Sequence, residues 1–230
     1  MKNLQSCLLI GNSRWHWATK KKKEWKFIHS NPDETILTKQ LIEPFRWAAV
    51  GRVPNTKNLR PEQEFRIDEI PLLNLPRWLG IDRALASWSV FNKANSVNAE
   101  FKEYVVIDAG TILSVTKISL NGEFIGGQLA PGLNLQLEAM SWAAEKLNHP
   151  GVKNLTSKKY PSQTNEAMQS GSLESIIGII IQASQTSASP IWLCGGDAPI
   201  LINHLNEKQI KVIHKPNLVL EGMIHLADKF

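Results

Sequence analysis

Two short polar turns carry residue types suited to phosphate chemistry. Asp108-Ala109-Gly110-Thr111 follows an apolar run, Val105 to Ile107, and leads into a stretch where Leu113, Val115 and Lys117 alternate with Ser114, Thr116 and Ile118. That alternation is the signature of a strand. A glycine in such a turn lets backbone N–H groups approach an anion, and a carboxylate and a hydroxyl beside it can hold the cation that accompanies phosphate. Gly11-Asn12-Ser13 sits in the same way, after the apolar run Cys7 to Ile10 and before Trp15 and Trp17, which alternate with Arg14 and His16. Taken singly, each turn is equally well explained as a plain hairpin.

The elements around the turns repeat too. A second polar turn follows in each place, Lys20 to Lys23 and then Asn121-Gly122, and a third short strand comes next, Trp25 to Ile28 and Phe124 to Gln128. Two copies of strand-turn-strand-turn-strand predict a duplicated fold. Asn31-Pro32-Asp33-Glu34 opens a helix whose apolar positions are Ile36, Leu37, Leu41 and Ile42, and Pro44 ends it. Trp47 to Val53 reads as a buried strand and Phe65 to Ile70 as another short one; Asp82 then opens a helix with Leu85, Trp88 and Phe91 on one face. In the second half a helix runs from Leu133 through Ala144 and Leu147 to Pro150-Gly151, and a longer one starts at Asn165. Ile191 to Cys194 is a strand ending in Gly195-Gly196-Asp197, followed by a helix, a strand around Val212 and a terminal helix from Val219. Strands alternating with helices make an α/β protein. The predicted division is residues 1–103 and 104–230, with the terminal helix free to pack back on the first domain.

Composition narrows the partners. The chain has 230 residues, 43% hydrophobic and 20% charged, near the average for a globular protein. Its net charge of +5 is spread out apart from Lys20 to Lys23 and Lys26, which suits a solvated hairpin tip and gives no nucleic-acid footprint. No apolar run reaches the roughly 18 residues of a membrane span, and the apolar run near the N-terminus is too short for a secretion signal. A cytoplasmic protein without membrane or nucleic-acid partners is expected. Cys7 and Cys194 both lie in apolar runs and read as small core residues.

The ordered motifs IGNS (10–13), GIDR (80–83), DAGT (108–111), GGQLAPG (126–132), QTNEAMQSG (163–171) and CGGDA (194–198) resemble type III pantothenate kinases, a branch of the acetate and sugar kinase, heat-shock ATPase and actin superfamily. The resemblance implies two ribonuclease-H-like domains with the nucleotide between them, and a homodimer. It implies ATP-dependent phosphorylation of pantothenate, the first step of coenzyme A biosynthesis, with Mg²⁺ and a monovalent cation, potassium or ammonium. Asp82 matches the catalytic aspartate, while Gly80, Ile81, Arg83 and Thr164 match pantothenate-binding positions. Gly11, Asn12 and Ser13 match the first phosphate motif; Gly110 and Thr111 match the second, with Asp108 as the cation ligand. Gly195 and Gly196 lie where the superfamily places adenosine. From local sequence alone, Asp82 and Thr164 read equally as helix caps, and Gly126, Gly127 and Gly132 as close-packing positions.

Departures are visible. Leu9 stands where the family usually has an Asp, Thr116 where it often has another, and Cys194 replaces a Thr. The alternative from another class is therefore a non-catalytic regulatory or accessory protein of the same fold, and a kinase or phosphatase acting on another hydroxylated metabolite is a further one.

Overall fold

The computed structural model describes residues 5–38, 44–94, 102–153, 155–156, 158–187 and 189–227. The chain divides into two compact units, Met1–Ala99 with Ile118–Phe124 and Asn217–Phe230, and Glu100–Lys117 with Ile125–Pro216.

In the first unit β1 (Ser6–Ile10), β2 (Trp15–Lys21) and β3 (Glu24–Ser30) form an antiparallel meander. After α1 (Glu34–Thr38), β4 (Arg46–Ala49) pairs parallel with the other side of β1, giving the order β3-β2-β1-β4. β1 is buried at every position, which is why its sequence reads as a continuous apolar run. Its Leu8 and Ile10 join Trp15, Trp17, Leu37 and Trp47 in one core. The β2–β3 tip turns at Lys22, φ 58°, with Lys21 to Lys23 exposed. Asp33 starts α1 by accepting the Thr35 N–H at 2.9 Å; Leu41 and Ile42 lie outside the described residues.

Two expectations are corrected here. The strand read over Trp47 to Val53 ends at Ala49, because the Val50 and Gly51 N–H groups both turn back to the Ile10 carbonyl at 3.0 Å. Phe65 to Ile70 is no strand: a 3-10 turn at Ile67–Glu69 occupies most of it, another at Pro61–Gln63 precedes it, and an isolated bridge joins Trp47 and Glu64. A side chain organises this segment in place of a ladder. The Arg46 guanidinium bonds the Gln63 carbonyl at 3.1 Å and the Glu69 carboxylate at 2.8 Å, and stacks 3.8 Å from the Phe65 ring centroid.

Helix α2 (Ile81–Ala94) follows, buried at Ile81 and at every residue from Arg83 to Val90, so its contact surface is far wider than the single face expected. Helix α6 (Leu218–Ala227) packs along it, and Gly222 permits the approach: a Cβ there would sit inside the Leu85 carbonyl.

The second unit repeats the meander with β5 (Glu103–Ala109), β6 (Ile112–Ser119) and β7 (Phe124–Pro131), then adds β8 (Ile191–Cys194) and β9 (Val212–His214) in the order β7-β6-β5-β8-β9. Strands β5, β8 and β9 run parallel. The short β5–β6 connection leaves room only for an antiparallel hairpin. Val105, Ile107, Leu113 and Leu193 of this sheet pack with Leu133 of α3 (Leu133–Ala143), Ile176 and Ile180 of α4 (Thr164–Gln185) and Leu201 of α5 (Ala198–Glu207). Helix α3 stops at Ala143, so Ala144 and Leu147 lie beyond it. The duplication anticipated from the sequence is thus present as one strand order used twice. Among the described residues, no helix is long and apolar enough to cross a membrane.

Candidate active site

The first turn is closed by the Gly11 N–H donating to the Arg14 carbonyl at 3.0 Å. A Cβ on Gly11 would stand 2.6 Å from that oxygen, and one on Gly51 would overlap the Gly11 carbonyl. Both glycines are therefore required by backbone packing. Asn12 and Ser13 are exposed at the tip, while Leu9 is buried at 6% exposure and faces His16 directly across the β1–β2 ladder.

The second turn is built alike. The Gly110 N–H donates to the Ile112 carbonyl at 3.3 Å, and the Gly132 N–H to the Thr111 carbonyl at 2.9 Å. The Ala109 carbonyl takes the Asp197 N–H at 2.8 Å, as the Ile10 carbonyl takes those of Val50 and Gly51 in the first unit. Gly195, φ +95°, lies against Ala109 and the Asp108 carboxylate so closely that any side chain would overlap both, and a Cβ on Gly132 would strike the Gly110 carbonyl. Gly110 and Gly196 differ. A Cβ at Gly110 would meet nothing nearer than the Asp108 Oδ1 at 3.7 Å, and at Gly196 nothing within 4 Å. Neither packing nor positive φ accounts for these two, which is the pattern expected where space is kept for a ligand.

Asp82 is the second residue of α2 and not the cap read for it from sequence; Gly80 takes the place before the helix, its carbonyl accepting the Ala84 N–H at 3.2 Å. The Asp82 Oδ1 accepts the Arg83 N–H at 2.7 Å, satisfying a helix-end donor. A Cβ on Gly80 would stand 2.6 Å from that same Oδ1, so only glycine leaves the carboxylate its place. Burial pushes the Asp82 pKa up from the usual carboxylate value, against the opposing effects of the Arg83 N–H and the Arg83 charge. Arg83 is buried, which lowers its pKa against the favourable charge of Asp82. The Ile81 side chain is buried in the core.

Thr164 begins α4 exposed and is not its cap; that position belongs to Gln163, without a side-chain bond. Asp108, Gly110, Thr111 and Gly195 are brought together in the second unit. Gly11, Asn12 and Ser13 form the turn of the first unit, and Asp82 with Gly80 and Arg83 forms a separate cluster at the α2 N-terminus. Gly51, His16 and His29 escaped the sequence reading. Gly51 had a legible signal, since it follows its strand as Gly195 follows β8.

Magnesium can be weighed against these residues. Among the described residues no group of three His, Cys, Asp or Glu side chains could hold a metal ion, and the first turn offers buried Leu9 where a carboxylate would ligate. A directly caged ion does not fit there. A hydrated Mg²⁺ carried by nucleotide phosphates does, because it keeps several waters and needs few protein ligands.

A duplicated α/β unit with two like turns is the architecture of the actin-like ATPase and sugar-kinase fold. The chain is similar to a solved 2-dehydro-3-deoxygalactonokinase from Sinorhizobium meliloti, with TM-score 0.62, 11% identity and coverage of 98% of this chain and 96% of that one. It is also similar to a Campylobacter jejuni protein described as a Baf family transcriptional activator, with TM-score 0.65, 19% identity and coverage of 97% and 98%; at such identities the likeness establishes fold alone. The family model for type III pantothenate kinase matches residues 63–185. A type III pantothenate kinase of Synechocystis is 30% identical over 96% of this chain and 90% of its own length, and one of Synechococcus elongatus 29% identical over 96% and 95%. The chain belongs to the type III pantothenate kinase family.

Proposed function

We infer that the chain is a pantothenate kinase, transferring the γ-phosphoryl group of ATP to the hydroxyl of pantothenate to give 4'-phosphopantothenate. The observation that carries this is the family match over residues 63–185, a span holding Asp82, Arg83, the Asp108–Thr111 turn and Thr164. No observation favours the non-catalytic alternative.

The roles assigned to residues are part of the proposal. The substrate hydroxyl oxygen attacks the γ-phosphorus, the bond to the β–γ bridging oxygen breaks, and ADP leaves. Asp82 takes the hydroxyl proton; its burial makes the carboxylate a stronger base than one in water. Gly80 keeps that carboxylate in place, the backbone at Ile81 borders it, and the fixed fork of Arg83 suits the substrate carboxylate. Thr164 offers a hydroxyl to the same substrate. Gly11, Asn12, Ser13, Gly110 and Thr111 cradle phosphates, and Gly195 and Gly196 border the adenosine, the open space at Gly110 and Gly196 supporting this reading. Mg²⁺ bound with the nucleotide would neutralise phosphate charge, Asp108 would hold a potassium or ammonium ion, and the enzyme would act as a cytoplasmic homodimer.

Incubating the purified chain with ATP, Mg²⁺ and pantothenate, with and without potassium, tests the reading. Release of ADP that depends on pantothenate and rises with potassium is expected. A folded protein that binds both ligands without turnover would overturn it.

A further inference from the structure

His16 and His29 face each other across the β2–β3 ladder, with their Nδ1 atoms 2.7 Å apart and ring planes inclined at 65°. The other nitrogen of His29, Nε2, lies 3.0 Å from Asn217 Oδ1. Asn217 is itself fixed, its carbonyl accepting the Glu221 N–H at 2.8 Å in the first turn of α6. No role assigned above uses these residues.

When both rings are neutral, this chain has one arrangement of protons. The Asn217 oxygen accepts from His29 Nε2–H, which leaves His29 Nδ1 as an acceptor, so His16 Nδ1–H donates to it and His16 Nε2 carries a lone pair. That nitrogen lies 3.5 Å from the point where a Cβ on Gly11 would stand, against the first phosphate turn. A lone pair there repels phosphate oxygens and must be met by a donor. The donors that travel with a nucleoside triphosphate are the waters of its Mg²⁺. Directly opposite, Leu9 gives that turn an apolar neighbour in place of a ligand.

We propose that His16 is a positioning residue for the Mg²⁺–nucleotide complex, its Nε2 held unprotonated by His29 and Asn217 so that it accepts a hydrogen bond from a cation-bound water at the first turn. The inference rests on the kinase reading for its ligand and extends it to residues outside the family motifs. Burial, the facing His29 and the Arg14 charge lower the His16 pKa to about 4, so the ring stays neutral at physiological pH.

The test uses the full chain and a non-hydrolysable ATP analogue, with nucleotide affinity measured calorimetrically as Mg²⁺ is titrated. In His16→Phe the Mg²⁺ concentration for half-maximal analogue binding should rise about 10- to 100-fold, the range for loss of an outer-shell partner, while Mg²⁺-free nucleotide affinity does not fall. His16→Gln, which restores an acceptor oxygen, should recover part of the loss, and His29→Leu should fall between. Nitrogen-15 spectra of the wild type, which need no variant, should show His16 as the Nδ1–H tautomer. An Nε2–H tautomer, or a folded His16→Phe with wild-type Mg²⁺ dependence, would overturn the proposal. If wild type binds the Mg²⁺–analogue complex through His16 but leaves pantothenate unphosphorylated, the kinase reading fails and the His16 assignment stands.

Discussion

The first four strands of each unit run in the same order, and at the end of the central strand they part company: Leu9 in the first, Asp108 in the second. What they keep in common is packing. In each, the carbonyl of the residue just before the turn glycine accepts an N–H from the loop after the fourth strand, and a glycine in that loop, Gly51 or Gly195, sits where a side chain would overlap the turn. What differs is the polar group presented. The fold therefore depends on the glycines, and the chemistry resides in positions the fold leaves free to change.

That division can be broken most severely at Gly195. Gly195→Ala puts a Cβ into Ala109 and the Asp108 carboxylate at a left-handed φ, and should cost more than about 3 kcal/mol; Gly51→Ala should act likewise in the first unit, both read by denaturant unfolding. A wild-type midpoint in either would refute the shared packing. Next in size is the exchange at the central strand ends. Asp108→Leu gives the second turn the character of the first and should lower turnover about 10- to 100-fold while abolishing stimulation by potassium. Leu9→Asp buries a carboxylate in an apolar site and should destabilise by about 1–3 kcal/mol.

Smaller effects sharpen the contrast between glycines held by packing and those beside open space. Gly110→Ala and Gly196→Ala should leave the melting temperature within about 2–4 °C, the shift that accompanies about 1 kcal/mol, yet raise the KM for ATP several-fold. The smallest effect is in pH. His16 has a folded pKa of about 4 against 6.5 unfolded, so the unfolded chain binds more protons between these values. Stability from this group is fully present above pH 6.5 and is lost as pH falls towards 4. His16→Gln should remove that part of the slope.

Much of this architecture was legible in the chain itself, because alternation and apolar runs mark strands whichever protein they belong to. The failures have physical causes. Phe65 to Ile70 looks β-like, yet the Arg46 side chain organises it from outside the segment. Helix α2 appeared amphipathic because its small and polar residues, Ser87 and Ser89 among them, hid the fact that α6 covers it too. The glycine motifs could be found but not sorted, since only coordinates distinguish Gly195, wedged against a carbonyl, from Gly196, which borders open space. The His16–His29–Asn217 chain joins residues 188 positions apart, beyond the reach of any local pattern.

In the proposed mechanism Asp82, a carboxylate made more basic by burial, is the base that takes the pantothenate hydroxyl proton. The direct test is the rate of ATP-dependent pantothenate phosphorylation across pH for wild type and Asp82→Asn, with pantothenate affinity measured separately. Wild type should lose activity on the acid side at a pH above the ordinary Asp value of 3.8, because the ionised form is required. Asp82→Asn should fall about 10²- to 10⁴-fold in kcat with near-normal pantothenate binding, and should melt at a higher temperature because the enclosed charge is gone. Undiminished turnover in Asp82→Asn would contradict its role as the base.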